Sequence, residues 1–101
     1  MNIKKRKFSQ QMKKGFLEVR DKDHLYYYPK GFDGKMITYI RTKVSHGSEK
    51  DIYKGLVNKM ANDLYFDNKQ DFNKYLKCTK KHEEYLKQLI EKKKYQWKLT
   101  N

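Results

Sequence analysis

Residues 16–45 read FLEVRDKDHLYYYPKGFDGKMITYIRTKVS, and the period of this stretch decides the fold. Leu17 and Val19 alternate with Glu18 and Arg20. Leu25 and Tyr27 then alternate with Lys22, His24, Tyr26 and Tyr28. Pro29, Gly31, Asp33 and Gly34 fall between Pro29 and Lys35, where they signal a loop. Beyond it, Met36, Ile40 and Val44 oppose Ile37, Tyr39, Arg41 and Lys43. A period of two describes strands buried on one side only. Three such strands with short links are expected to form an antiparallel meander.

Helical spacing takes over on both flanks. Residues 1–14 carry Lys4, Lys5, Arg6, Lys7, Lys13 and Lys14 and no acidic residue. Phe8 and Met12 lie four apart and Gly15 follows, which predicts a short basic helix, with residues 1–7 as a basic arm. After the meander, Ser48 is suited to an N-cap and Asp51 to the first turn of a helix. Ile52, Leu56, Met60 and Leu64 recur every fourth residue, and Val57 and Ala61 widen the stripe. Asp67 or Asn68 starts a shorter helix with Phe72 and Leu76. Thr79 is expected to cap a last one, carrying Tyr85, Leu86, Leu89, Ile90 and Trp97 and ending near Lys92, Lys93 and Lys94. The expected fold is α+β: an α-β-β-β-α two-layer domain with a three-stranded antiparallel sheet and two additional C-terminal helices. All 101 residues are expected in one domain, its core at 8–66 and a helical extension at 67–101.

Charge narrows the partner. Twenty-five Lys plus Arg against twelve Asp plus Glu give a net charge of +13 and a pI near 9.7. Such a surface attracts polyanions, with nucleic acid first, an anionic membrane second and an acidic protein third. A mean hydropathy of −1.18 points towards disorder, but 15% aromatics and a single Pro favour a folded chain. Lone Cys78 can form neither an intramolecular disulfide nor a thiol pair for a metal, which fits a reducing compartment. No apolar run is long enough to span a bilayer, and no apolar stretch follows the basic start as in a secretory leader. The expected setting is cytoplasmic, with no membrane partner.

If one sheet face is covered by the 52–64 helix, the other gathers Arg20, Lys22, His24, Tyr26, Tyr28, Tyr39, Arg41 and Lys43. Cations there can contact phosphates, and tyrosine rings can stack on unpaired bases of RNA. Tyrosine and lysine are also ordinary strand surface residues, but their sharing one side favours a binding face. His24 is the candidate catalytic residue: a neutral imidazole could take the proton of a ribose 2′-hydroxyl and promote attack on the adjacent phosphate. Asp23 is expected on the opposite face and is not its partner. Ser45, His46, Gly47 and Ser48 form a second candidate, a phosphate or substrate site at a helix N-terminus. A turn followed by a cap explains the same four residues equally well. No zinc ligand set, nucleotide phosphate loop or paired carboxylates are visible, so neither cofactor nor metal is expected.

The chain resembles the HicA family of toxins from bacterial toxin–antitoxin systems. The resemblance rests on Lys14-Gly15-Phe16, Asp23-His24-Leu25-Tyr26-Tyr27, Val44-Ser45-His46-Gly47-Ser48 and Gly55-Leu56-Val57-Asn58-Lys59-Met60-Ala61, over residues 8–66. It implies a fold like the double-stranded RNA-binding domain and a metal-independent endoribonuclease that cuts messenger RNA and is neutralised by a HicB-type antitoxin. The family's strand histidine matches His24, and a second histidine matches His46. Where the family commonly has Gly-Ser before the strand histidine, this chain has Lys22-Asp23. Two readings therefore stand: a HicA-like ribonuclease, or a non-catalytic protein of phage or plasmid origin that binds nucleic acid or a ribonucleoprotein, including an inhibitor of host defence. An acidic-protein or membrane-surface binder is a third.

Overall fold

The computed structural model describes residues 3–45, 51–52 and 54–96 of the chain. The first helix, α1 (Lys5–Met12), buries Phe8 and Met12, the two positions that its spacing selects. Before it, β1 (Ile3–Lys4) pairs antiparallel with β5 (Asp51–Ile52). Residues 3–7 are thus built into the fold, where the sequence suggested a basic arm. Strands β2 (Phe16–Asp21), β3 (His24–Pro29) and β4 (Thr42–Ser45) form the antiparallel sheet in the order β2-β3-β4.

The expected meander is present, with two corrections. The third strand was expected from Met36 but starts at Thr42. Met36 keeps a single bridge to Lys30, and the Ile37 N–H donates to the Pro29 carbonyl at 2.9 Å, so Ile37 turns inward and is buried. From Tyr39 onward the alternation holds, with Tyr39, Arg41 and Lys43 outside and Ile40, Thr42 and Val44 inside.

The second correction concerns β2, whose two faces are exchanged. Glu18 lies opposite Tyr27 and Arg20 opposite Leu25, while Leu17 lies opposite Tyr28 and Val19 opposite Tyr26. Directly opposed residues share a face. Glu18 and Arg20 therefore point to the helical side, and Leu17, Val19 and Asp21 to the open side. The reason is a hydrogen-bond network. Glu18 Oε2 accepts from Tyr27 Oη at 2.5 Å and from Ser9 Oγ at 2.9 Å, and Lys13 lies 3.4 Å from the other oxygen. Burial pushes the Glu18 carboxyl up, but those hydrogen bonds and Lys13 outweigh it and hold the group below its ordinary value.

Helix α2 (Lys54–Asp63) buries Val57, Met60 and Ala61, and Leu64 just beyond its end. It starts later than its periodicity suggested: Ile52 and Asp51 belong to β5, and the expected cap Ser48 lies outside the described residues. Asn68 caps α3 (Lys69–Leu76), its Oδ1 accepting the Asp71 N–H at 2.9 Å. Helix α4 (His82–Glu91) follows Lys81, whose N–H donates to Glu84 Oε1 at 2.9 Å. Thr79, expected to cap this helix, instead donates its hydroxyl to the Lys74 carbonyl and closes α3. Trp97 lies outside the described residues.

One buried cluster joins the four helices, the three-stranded sheet and β5. Phe16, Tyr27 and Val44 of the sheet meet Phe8 and Met12, Val57 and Met60, Phe72 and Tyr75, and Tyr85 and Leu89. Phe8 sets its ring edge-on to Tyr27 at 5.5 Å and Phe72 at 6.3 Å, and Phe66 stacks on Tyr85 at 4.6 Å. Residues 67–96 thus complete the core rather than extend it. The result is a small α+β domain whose helices collect on one side of the sheet.

Candidate nucleic-acid interface

The side of the sheet away from the helices is organised in rows. His24 is flanked by Asp21 on β2 and Ser45 on β4. The next row is Val19, Tyr26 and Lys43, and beyond it Tyr28 lies beside Leu17. Rows are two residues apart, about 6.8 Å at the usual strand rise. The His24 and Tyr26 rings, 6.2 Å apart, agree with that spacing. His24 is half-buried and its imidazole makes no hydrogen bond among the described residues.

Arg41, just before β4, folds back over this surface. Its guanidinium carbon lies 4.8 Å from the centre of the Tyr26 ring, and Nη1 donates to Tyr28 Oη at 3.2 Å. A guanidinium over an aromatic face is held by the ring quadrupole. The bond to Tyr28 also favours the charged form and holds Arg41 above its ordinary value. Lys43 is exposed and has no ion pair among the described residues.

A cleft of about 180 Å³ opens beside this arginine, lined by Tyr26, Arg41, Thr42, Lys43, Lys59 and Asp63. It runs from the open face around the β4 edge to α2. Asp63 Oδ2 accepts from Thr42 Oγ1 at 3.0 Å and from Lys59 Nζ at 3.1 Å, fixing the far wall. The lining carries three cations and one carboxylate, and that carboxylate is already bonded to one of them. Elsewhere Glu18, Asp67, Asp71, Glu83 and Glu84 have partners within the chain, whereas Asp21 stands exposed on the open face beside His24. Arg41 and Lys43 outnumber Asp21 on the open face and set the sign of its potential.

The structure brings together His24, Tyr26, Tyr28, Arg41 and Lys43. Tyr39 precedes Arg41 by two residues, on the same outward phase, and is 65% exposed. Two expected members are absent. Arg20 shares the side of Leu25 and Tyr27, and Lys22 lies in the two-residue hairpin turn, not on a strand face. Lys22 takes a left-handed φ of 50°. The unusual backbone is thus met by a side chain that tolerates it poorly. Ser45 is in place as the β4 neighbour of His24, while His46, Gly47 and Ser48 lie outside the described residues.

Three site residues escaped the sequence reading. Asp21 becomes the β2 neighbour of His24 because Lys22-Asp23 forms a two-residue loop, and such a loop length would have predicted that register. Lys59 and Asp63 are one helical turn apart on the polar side of α2, and no local signal marks them as facing β4. Comparisons with protein-family models, with curated proteins and with solved structures gave no match. Among the described residues, no helix is long and apolar enough to cross a membrane.

Proposed function

We propose that the chain binds RNA on the open face of its sheet and cleaves it with His24 as general base, in the manner of the HicA-like toxins it resembles. The observation that carries this reading is the row structure. An imidazole that makes no hydrogen bond among the described residues sits one row from a cationic row made of Arg41, held on Tyr26, and Lys43. The order α1, β2-β3-β4 and α2, with the short β5 before α2, lends support to the double-stranded RNA-binding-like fold that the resemblance implies.

In the proposed step, His24 takes the proton of a ribose 2′-hydroxyl, whose oxygen attacks the adjacent phosphorus. The bond to the 5′-oxygen breaks, leaving a cyclic phosphate and a 5′-hydroxyl; the leaving oxygen takes its proton from water, and His24 returns its own to solvent. Arg41 and Lys43 would offset the charge that gathers on the phosphate oxygens. A HicB-type antitoxin would neutralise such an enzyme by covering this face.

The test sets wild type beside His24→Ala, with defined RNAs and a chelator present. His24→Ala should lower the cleavage rate by about 100-fold or more, with an unchanged circular dichroism spectrum. Wild-type protein that leaves every RNA intact removes the catalytic part of the proposal.

One observation favours a second reading, a non-catalytic nucleic-acid or ribonucleoprotein binder. Among the described residues no carboxylate is bonded to the imidazole, and its β2 neighbour Asp21 is an exposed carboxylate on the same face, which would repel a phosphate. Under that reading His24→Ala changes neither affinity nor RNA integrity.

A further inference from the structure

Two of the three tyrosines beside Arg41 are already engaged within the protein, and this assigns separate tasks along the face. The Tyr26 ring is covered by the Arg41 guanidinium, and the Tyr28 hydroxyl accepts its Nη1. The Tyr26 ring is not open to a base without displacing the arginine, and Tyr28 is half-buried with its hydroxyl taken. Tyr39 is different, being the most exposed large hydrophobic side chain among the described residues at 65%.

We propose that the bound form of RNA is single-stranded, that Arg41 grips one phosphodiester in the cleft, and that Tyr39 stacks the neighbouring unpaired base. This rests on the RNA-binding reading above and deepens it. Tyr26 and Tyr28 are positioning residues: the first supports the guanidinium plane, and the second fixes its rotation. The fork's remaining N–H groups are left for a phosphate, whose two free oxygens match a planar pair of donors. Lys43, which has no ion pair among the described residues, lines the same cleft and supplies point charge, while Lys59 stands there bonded to Asp63.

A duplex would meet this surface poorly. Its bases are stacked on one another and offer no face to Tyr39, whereas an unpaired strand offers a face and a phosphate in succession. His24 lies one row from Lys43 and Tyr26. A strand anchored at Arg41 would therefore pass the imidazole.

The experiment measures fluorescence anisotropy of the full-length protein with a 2′-O-methylated 12-mer, which has no 2′-hydroxyl to attack, and with the same 12-mer annealed to its complement. The single strand should bind at least about tenfold tighter than the duplex. Arg41→Lys should weaken single-strand binding by about tenfold, close to the effect of Arg41→Ala, because lysine keeps the charge and loses the fork. Tyr28→Phe, which removes only the tether, should give a smaller loss that vanishes in an Arg41→Ala background. Tyr39→Leu should weaken binding by about tenfold and leave the salt slope unchanged, whereas Arg41→Ala lowers that slope by about one.

If wild type binds the single strand with strong salt dependence but Arg41→Lys binds equally well, the fork is wrong and RNA binding survives. Equal or tighter binding of the duplex overturns the single-strand assignment. If wild type binds neither, this proposal and the function it rests on fall together.

Discussion

Tyrosines on the two sides of the sheet meet opposite fates. Inside, Tyr27, Tyr75 and Tyr85 are buried, and their hydroxyls meet Glu18, the His82 ring and the Leu64 carbonyl. Burial pushes all three phenols well above their ordinary value. Outside, Tyr26 and Tyr28 are half-buried and hold a cation, and Tyr39 stands in solvent. The same residue type completes a core on one side and prepares a surface for a charged ligand on the other. Mutations inside should therefore be read in stability, and mutations outside in binding.

The largest effect should come where the inner network has no spare room. Gly15 is buried against Tyr75 and His82, and a Cβ at this position would collide with the Tyr75 hydroxyl and the His82 ring. Its carbonyl also accepts the Lys30 N–H at 2.9 Å, while the Lys30 carbonyl meets His82 Nε2 at 2.6 Å. Gly15→Ala should thus force apart a junction between the end of β3, α3 and α4. The cost should be about 3 kcal/mol, the upper part of the usual range for overpacking. Urea denaturation measures it, and a loss below about 1 kcal/mol would mean that the inner layer yields as easily as the outer.

A matched pair sharpens the contrast. Tyr75→Phe removes the hydroxyl 2.8 Å from His82 Nδ1 and leaves that half-buried nitrogen unpaired, at about 1–3 kcal/mol. Tyr28→Phe removes an exposed tether and should cost less than about 0.5 kcal/mol. In RNA affinity the order should invert, with Tyr28→Phe weakened and Tyr75→Phe, where folded, unchanged. Equal stability losses in the two variants would erase the distinction between the layers.

The sequence shows one of these layers better than the other. Phe8, Met12, Leu25, Tyr27 and the Val57–Leu64 stripe follow from period alone, because burial of apolar side chains drives both. The alternation of β2 misleads, since it places two leucine-like residues inside and Glu18 outside. What reverses it is a hydrogen bond from Tyr27, a residue on the next strand, and pairwise satisfaction of this kind leaves no trace in a pattern of polarity. Arg20 leaves the candidate site for that reason, and Asp21 enters it. The β1–β5 pair is too short for a periodic signal. Helix ends were equally hard to read: Tyr65, Cys78 and Lys93 all take left-handed φ of 61–66°, where sequence rules look for glycine. Arg41 was legible as a surface cation, but its support by Tyr26 and Tyr28 depends on the β3–β4 register.

The smallest expected effect is one of pH, and it concerns the inner layer alone. The Lys30 carbonyl can only accept, so His82 Nε2 carries the hydrogen, and in the neutral ring Nδ1 accepts from Tyr75. Burial lowers the His82 pKa below its ordinary 6.5, and the nearby Lys30 charge acts the same way, while the bond to the Lys30 carbonyl opposes both. The unfolded chain then binds more protons than the folded one as pH falls below about 6.5, so stability is full above that pH and declines through the folded value. The loss should be modest, since a protonated ring keeps its bond to Lys30 and the Tyr75 hydroxyl can turn to accept from Nδ1. Glu18, Asp67 and Asp71 have depressed values and weaken the fold only in more acidic solution, because their ordinary values are 4.5, 3.8 and 3.8. Urea midpoints at pH 7.5 and 5.5 should therefore differ in wild type and converge in His82→Gln. A gap that survives the substitution would place the titration elsewhere and leave the inner junction insensitive to protons.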